Sequence, residues 1–422
     1  MTASPAPLEA PVSADEPSRR HKITLLVALY LAQGLPYGFF TIALPTLLRQ
    51  AGYSLKMISA LSLLYLPWAL KFAWAPYLDH RGTRRGWLLL LQTSAFVIAL
   101  LLTQVPFGTH FGLLLVAAFA FNLIAATQDI VTDGLAVRML DTRERGYANG
   151  IQVGAYRLGM ILGGGILLKV FAHTNWTVMF TCMAAMLLVT ILPVLPFREP
   201  PREASGPRPT PTQLAIGWLH RLSMPGMLGF AGLIFAYRFG DQMITALLPP
   251  FLIDDGLSTD TIATMKGIVG SATSLVGAAI GGWFAFRNSR RTTLLVSGVA
   301  QAVAFTLYIA ASVHIGGVSL LWTATVVEGV VGTMATVALF TLMMDASDPQ
   351  HAGTDYTVFA SIVVLVNVLA NFCAAAIGDA FGYTPTFTIG AVLALAGCLL
   401  LVWVLDRRSI PPRVAAAWAL RR

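Results

Sequence analysis

Charge is what this sequence has least of. Asp, Glu, Lys and Arg make up 11% of its 422 residues, against about 25% in an ordinary soluble domain. With 56% hydrophobic residues and a mean hydropathy of +0.71, the chain is excluded from the soluble globular class and falls in the membrane class. Cysteine is scarce too. Cys182, Cys373 and Cys398 all lie in apolar runs without CxxC or metal-ligand spacing, so they read as small packing residues, and no metal site is expected. No phosphate loop occurs. The run GMILGGG at 159–165 lacks the GK[ST] ending, and its Gly159 and Gly163 read as close helix packing. ATP hydrolysis is therefore not encoded here, and no cofactor is expected. HExxH, HxxEH and Ser-His-Asp sets are missing, and all seven histidines fall at span ends or in loops, which argues against a membrane enzyme.

What is present is a series of apolar runs long enough to span a bilayer, at about 20 residues each. They cover roughly 23–48, 55–78, 87–105, 111–137, 149–172 and 177–196, then 224–252, 259–285, 293–312, 317–344, 354–381 and 385–405. The expected fold is all-α, with twelve transmembrane helices in two six-helix bundles. The bundles occupy 23–196 and 224–405, joined by a proline- and arginine-rich cytoplasmic linker at 197–223. Residues 1–22 read as a disordered cytoplasmic tail rather than a signal peptide, and 406–422 as a basic cytoplasmic tail. With both termini inside, 21 of the 28 Lys and Arg residues lie on the inner side, three in outer loops and four within spans. The net charge of +8 thus reflects topology next to a lipid bilayer, not nucleic-acid binding.

The halves repeat. FTIALPTLLRQAGYS (40–54) matches ITALLPPFLIDDGLS (244–258) at a constant offset of 204, with Pro45/Pro249, Gly52/Gly256 and Ser54/Ser258 identical. APYLDHRGTRRGWLL and GGWFAFRNSRRTTLL follow the second span of each half, and Phe286 and Ser289 are read as replacing the Asp and Gly of the first copy. Parallel repeats around a central site are a transporter plan.

LDHRGTRR resembles the loop signature of the major facilitator superfamily. Ala75, Asp79, Gly82, Arg84 and Arg85 fill it, and His80 stands where the family usually has Arg. AQGLPYGFF, LPWALKFAWAPYLD, TRRGWLL, ATQDIVTD, ERGYANGIQVGAYRLGMILGGG and YRFGDQM together resemble the AmpG-like permeases. That branch includes muropeptide importers, siderophore-uptake permeases and acetyl-CoA transporters. Two departures touch the substrate. Gly134-Leu135 stands where muropeptide permeases carry Trp, and GTDYTVFASIVV (353–364) looks closer to the siderophore branch. The resemblance implies a proton-coupled importer of a small molecule in the bacterial inner membrane, with a monomer as the expectation. It also implies a cytoplasmic gate of Asp79 with Arg84 and Arg85, and of Asp141 and Glu144 with Arg145.

Ionisable residues within spans cost about 2.5–3.5 kcal/mol each near the centre and need a partner or a wet cavity. Asp129 and Asp133 share one face of the fourth span. At 1.5 Å per residue, Asp129 and Arg157 lie at similar depths, about 13 and 12 Å, and Asp133 at about 7 Å. Depth therefore pairs Asp129 with Arg157 and leaves Asp133 for Arg138 or Arg145. A static staple, a gate and a proton or substrate site are all open readings. Arg238 and Asp241 are three apart and placed to satisfy each other. Glu328 has no basic residue on its own span and is the candidate proton carrier; Lys266 either snorkels or lines the outer vestibule. Gln33 and Gln128 complete the candidate pathway. Lys71 reads as snorkelling or structural pairing, and Asn367 with Asn371 as polar glue between helices.

Overall fold

The computed structural model describes residues 18–44, 47–48, 64, 66–105, 111–142, 144–199, 226–407 and 418. Their regular structure is helical throughout. The helices are α1 (Arg19–Ala43), α2 (66–80), α3 (Arg84–Leu102), α4 (Phe111–Met139), α5 (Glu144–His173) and α6 (Trp176–Val194) in the first half. The second half holds α7 (Met227–Asp254), α8 (Thr264–Arg287), α9 (Arg290–Ser312), α10 (Gly317–Ala346), α11 (Pro349–Phe381) and α12 (Tyr383–Asp406). Ten of these are long and apolar enough to cross a membrane, and α7 is a further helix of 28 residues. Residues 55–63 and 65 of the span expected at 55–78, most of the linker, residues 1–17 and most of the last stretch lie outside the described residues.

Helix starts are written in the sequence. Ser18, Thr83, Asn175 and Ser289 each accept a backbone N–H of the first turn of α1, α3, α6 and α9. These caps also fix the repeat. Arg84 and Arg290 are the first residues of α3 and α9, so Asp79 corresponds to Ala285 and Gly82 to Asn288, not to Phe286 and Ser289. Gly82 has φ +72°, which favours glycine, whereas Asn288 is extended at φ −115°, so the second copy has no need of one.

Within each half the helices pack as a bundle: α1 on α4 and α5, and α3 on α4 and α6; then α7 on α11 and α12, α8 on α10, and α9 on α10 and α12. Glycines set the closest approaches. A Cβ on Gly34 would stand 2.2 Å from the Tyr156 carbonyl oxygen, so GMILGGG and AQGLPYG form one tight α1/α5 contact. Large apolar side chains such as Leu101, Val116 and Phe372 face outward, as a lipid-facing surface requires.

Two seams join the halves: α5 against α8, and α2 with α4 against α11. A core containing Tyr30, Val131, Leu342 and Tyr356 spans both halves. On the first seam Gly150 meets Ala278 and Gly282 so closely that a Cβ would lie 2.6 Å from a carbonyl oxygen. Gly150→Val should force this seam apart. A cysteine placed at Ala285, in a background without native cysteines, should then label about tenfold faster with a water-soluble maleimide. Gly229→Val, where the added carbon meets nothing within 4 Å, should leave labelling unchanged. Equal labelling in both variants would contradict the seam.

Candidate functional site

Polar residues concentrate at two levels. The first is the end of the molecule that carries the 81–85, 138–145 and 287–291 arginines, here called the basic end. Asp79 of α2 is buried there. It accepts from Arg84 Nη2 at 2.7 Å, from the Thr354 amide and hydroxyl at 2.7 Å each, and from the Gly353 amide at 3.2 Å. Those amides are free donors at the start of α11, so a carboxylate from one half sits on a helix N-terminus of the other. A Cβ on Gly134 would lie 2.1 Å from Arg84 Nη1 and 2.9 Å from the Gly353 nitrogen, so glycine here permits the junction. Arg138 crosses the same seam to the carbonyls of Pro349 and Gln350.

On the other seam the anchor is Asp345, at the end of α10. Arg145 of α5 donates to it at 3.0 Å and Arg290 of α9 at 2.8 Å. Arg290 also reaches the Ala285 carbonyl at 2.8 Å and the Thr142 carbonyl of the first half. This differs from the family-based expectation. Arg145 turns away from Asp141 and Glu144 to Asp345; Glu144 instead accepts the Asp141 amide at 3.3 Å and pairs with Lys22 at 3.7 Å. Arg85 donates to the Leu195 carbonyl at 2.7 Å and not to Asp79. Asp345 was not singled out in the sequence, because an acid at a helix end next to Ser347-Asp348 looks like an ordinary loop boundary. The missing acid in the second loop repeat was the available signal: Arg290, equivalent to Arg84, needs a carboxylate from elsewhere.

The second level is deeper. Asp129 is ion-paired with Lys71 of α2, not with Arg157. Asp133 accepts from Tyr30 Oη at 2.9 Å and Gln152 Nε2 at 3.2 Å, and not from Arg138 or Arg145. Depth was the wrong guide because it ignores azimuth: this face of α4 looks toward α1, α2 and α5 of its own half. Gln128 donates to the Leu29 carbonyl at 3.3 Å. Gln33 is buried, and neither of its amide atoms has a hydrogen-bond partner.

Across the interior, Arg238 and Asp241 pair at 2.7 Å, as their spacing suggests. Gln301 of α9 donates to Asp241 at 2.9 Å, and Arg238 reaches Thr336 of α10 at 3.3 Å. Lys266 is turned inward to the Tyr308 hydroxyl, 3.3 Å away, rather than snorkelling. Glu328 lies within electrostatic reach of Lys266, Asp241, Arg157 and Arg238. Arg157 comes from the first half, is exposed in the middle of α5, and makes no ion pair among the described residues. The group holds three cations and two acids. Nearby, Tyr37 contacts both Trp68 and Tyr156, at ring-centroid distances of 6.0 and 5.5 Å. Asn371 bonds Asn367 on its own helix at 3.0 Å, and among the described residues it bridges to no other helix. Among the described residues no group of three His, Cys, Asp or Glu side chains could hold a metal.

The family model of the Major Facilitator Superfamily matches residues 26–371 and 233–421. The chain belongs to this superfamily. It is a multi-pass membrane protein whose curated relatives include AmpG-type transporters. It is 27% identical over 394 residues to the anhydromuropeptide permease of Escherichia coli K12, covering 90% of this chain and 78% of that one. A Haemophilus influenzae protein is 28% identical over 389 residues, covering 88% and 91%. Among solved structures, the transporter FucP in its outward conformation superposes with a TM-score of 0.69 at 13% identity, covering 91% and 98%. The proton:xylose symporter XylE gives 0.70 at 13% identity, covering 95% and 100%. At that identity the superpositions establish the fold alone.

The two pairings make different predictions. Lys71→Met leaves Asp129 buried without its cation, a loss of about 3–5 kcal/mol. Its melting temperature should fall clearly, and adding Asp129→Leu should restore much of it. Arg157→Met should melt like the parent. A stable Lys71→Met beside an unstable Arg157→Met would return Asp129 to Arg157.

Proposed function

We propose that this chain is a secondary transporter that imports a medium-sized, anionic, polar organic solute by alternating access, coupled to protons. The observation that carries this reading is the cation-rich group of Arg157, Arg238 and Lys266 around Glu328, drawn from both halves. The arginine excess argues that the basic end is cytoplasmic. That end is bridged by Asp79 and Asp345, so the state described has its inner side closed. An incoming anion would neutralise Arg157 and Lys266, which lack a full ion-pair partner, whereas Arg238 already has Asp241. Glu328 then alternates between a charged form facing these cations and a neutral form when solute takes its place. Desolvated arginines suit carboxylate or phosphate groups, and the Tyr37, Trp68 and Tyr156 rings offer faces to a sugar or other flat group.

The named relative supports a cell-wall muropeptide as solute. A ferric siderophore is the second reading, favoured by Gly134-Leu135 and by 353–364. In the structure, however, Gly134, Gly353 and Thr354 build the seam with Asp79, so their likeness to the siderophore branch concerns the closure more than the cavity. An acyl-CoA solute meets the same charge requirement without further support.

Reconstitution in proteoliposomes with an imposed pH gradient tests the reading. Labelled anhydromuropeptide should accumulate, protonophore should abolish accumulation, and ferric siderophore should not compete. Glu328→Gln should retain solute exchange and lose pH-driven accumulation. Full accumulation by Glu328→Gln would remove Glu328 from the coupling. Uptake of the siderophore alone would replace the solute.

A further inference from the structure

A groove of about 420 Å³ opens on the α5/α8 seam near the basic end. Its floor is made of small residues, Gly150 and Gly154 of α5 and Ala278 and Gly282 of α8. Its rim carries Arg19 at the start of α1, Tyr147 in the first turn of α5, and Trp283 and Arg287 at the end of α8. The Arg19 guanidinium lies 5.3 Å from the Tyr147 ring centroid and 5.9 Å from that of Phe286. The Tyr147 hydroxyl is buried against the Arg19 guanidinium, its nearest polar partner, without meeting strict hydrogen-bond geometry. Glu144, one turn before Tyr147, is engaged by Lys22 at 3.7 Å. Arg19 and Arg287 thus bring two positive side chains to the rim. Trp283 is 59% exposed on the outer surface of the helix bundle, so the groove opens sideways toward lipid.

We propose that this groove binds a membrane phospholipid with an anionic headgroup. The headgroup sits between Arg19 and Arg287, the Tyr147 hydroxyl donates to it, and an acyl chain runs over the glycine and alanine floor. Basic pockets between helices on the inner side of a membrane take anionic headgroups in this way. A soluble phosphate would make no use of the apolar floor, and a zwitterionic lipid would gain little from two arginines. The opposite seam supplies a contrast. Its groove, about 460 Å³, is lined by residues such as Phe72, Met227, Phe359 and Val368 and by no charged side chain. It fits an acyl chain without preference for a headgroup.

The site has a mechanical consequence. Arg19 and Tyr147 belong to the first half and Arg287 to the second. One headgroup would tie the halves together on the seam that Asp345 also closes. Anionic lipid is thus a ligand of the closed basic end, whatever the solute.

Trp283 provides the probe. Its fluorescence is taken as the difference between the parent protein and Trp283→Phe in vesicles. Brominated phosphatidylglycerol should quench it at about tenfold lower mole fraction than brominated phosphatidylcholine, as two arginines imply. The preference should vanish in Arg19→Gln/Arg287→Gln and weaken in Tyr147→Phe. Equal quenching of the parent by both lipids would overturn the proposal, and that comparison requires no variant of the rim. A full preference retained by an Arg19→Gln/Arg287→Gln protein that melts like the parent would also overturn it, since general enrichment of anionic lipid around a basic protein would then explain the signal.

Discussion

One buried carboxylate, Asp345, is shared by two arginines that approach from opposite halves. Its side chain is 0% exposed, and Arg145 and Arg290 are nearly as enclosed. Two cations on one anion leave a positive excess, which the Val137, Met344, Ala285 and Thr142 carbonyls take up. The arrangement is satisfied only while the seam is shut. On opening, water replaces the protein partners. Because desolvation nearly cancels attraction in buried ion pairs, the difference between the two states stays small. A lock with that property suits the alternating access proposed above. Asp79 on the start of α11 repeats the principle on the other seam with backbone donors, so both seams close at the same end.

With that end shut, the remaining membrane charges fall into two kinds. Lys71 with Asp129, and Arg238 with Asp241, are satisfied inside their own half. They can ride with the half as it moves. Arg157, Lys266 and Glu328 have no such full ion pair, and their mutual electrostatic reach crosses the halves. Any change in the separation of the halves changes the field at Glu328. That is the physical requirement for linking a charge on the protein to the state of the seams.

Much of this was legible in the chain. The helix order, the Arg238–Asp241 pair and the Asp79–Arg84 clip follow from period, spacing and motif. What was not legible was azimuth. Depth estimated along the spans pairs Asp129 with Arg157, but α4 turns its acid toward Lys71 while α5 turns its arginine toward the other half. Helix rotation is set by packing, here by glycine contacts such as Gly34 on Tyr156. Asp345 escaped notice because its partners lie 55 and 200 residues away. Only the broken symmetry of the second loop repeat hinted that Arg290 needed an acid from another helix.

The most direct measurement of the lock is a spin-label distance across the basic end. Labels at the exposed Arg81 and Arg407 report on opposite halves, in a background without native cysteines. Asp345→Asn should shift weight from the short distance to a longer one, reporting an opened basic end, while the parent keeps the short distance. An unchanged distribution in Asp345→Asn would show that the halves are held by something other than this carboxylate.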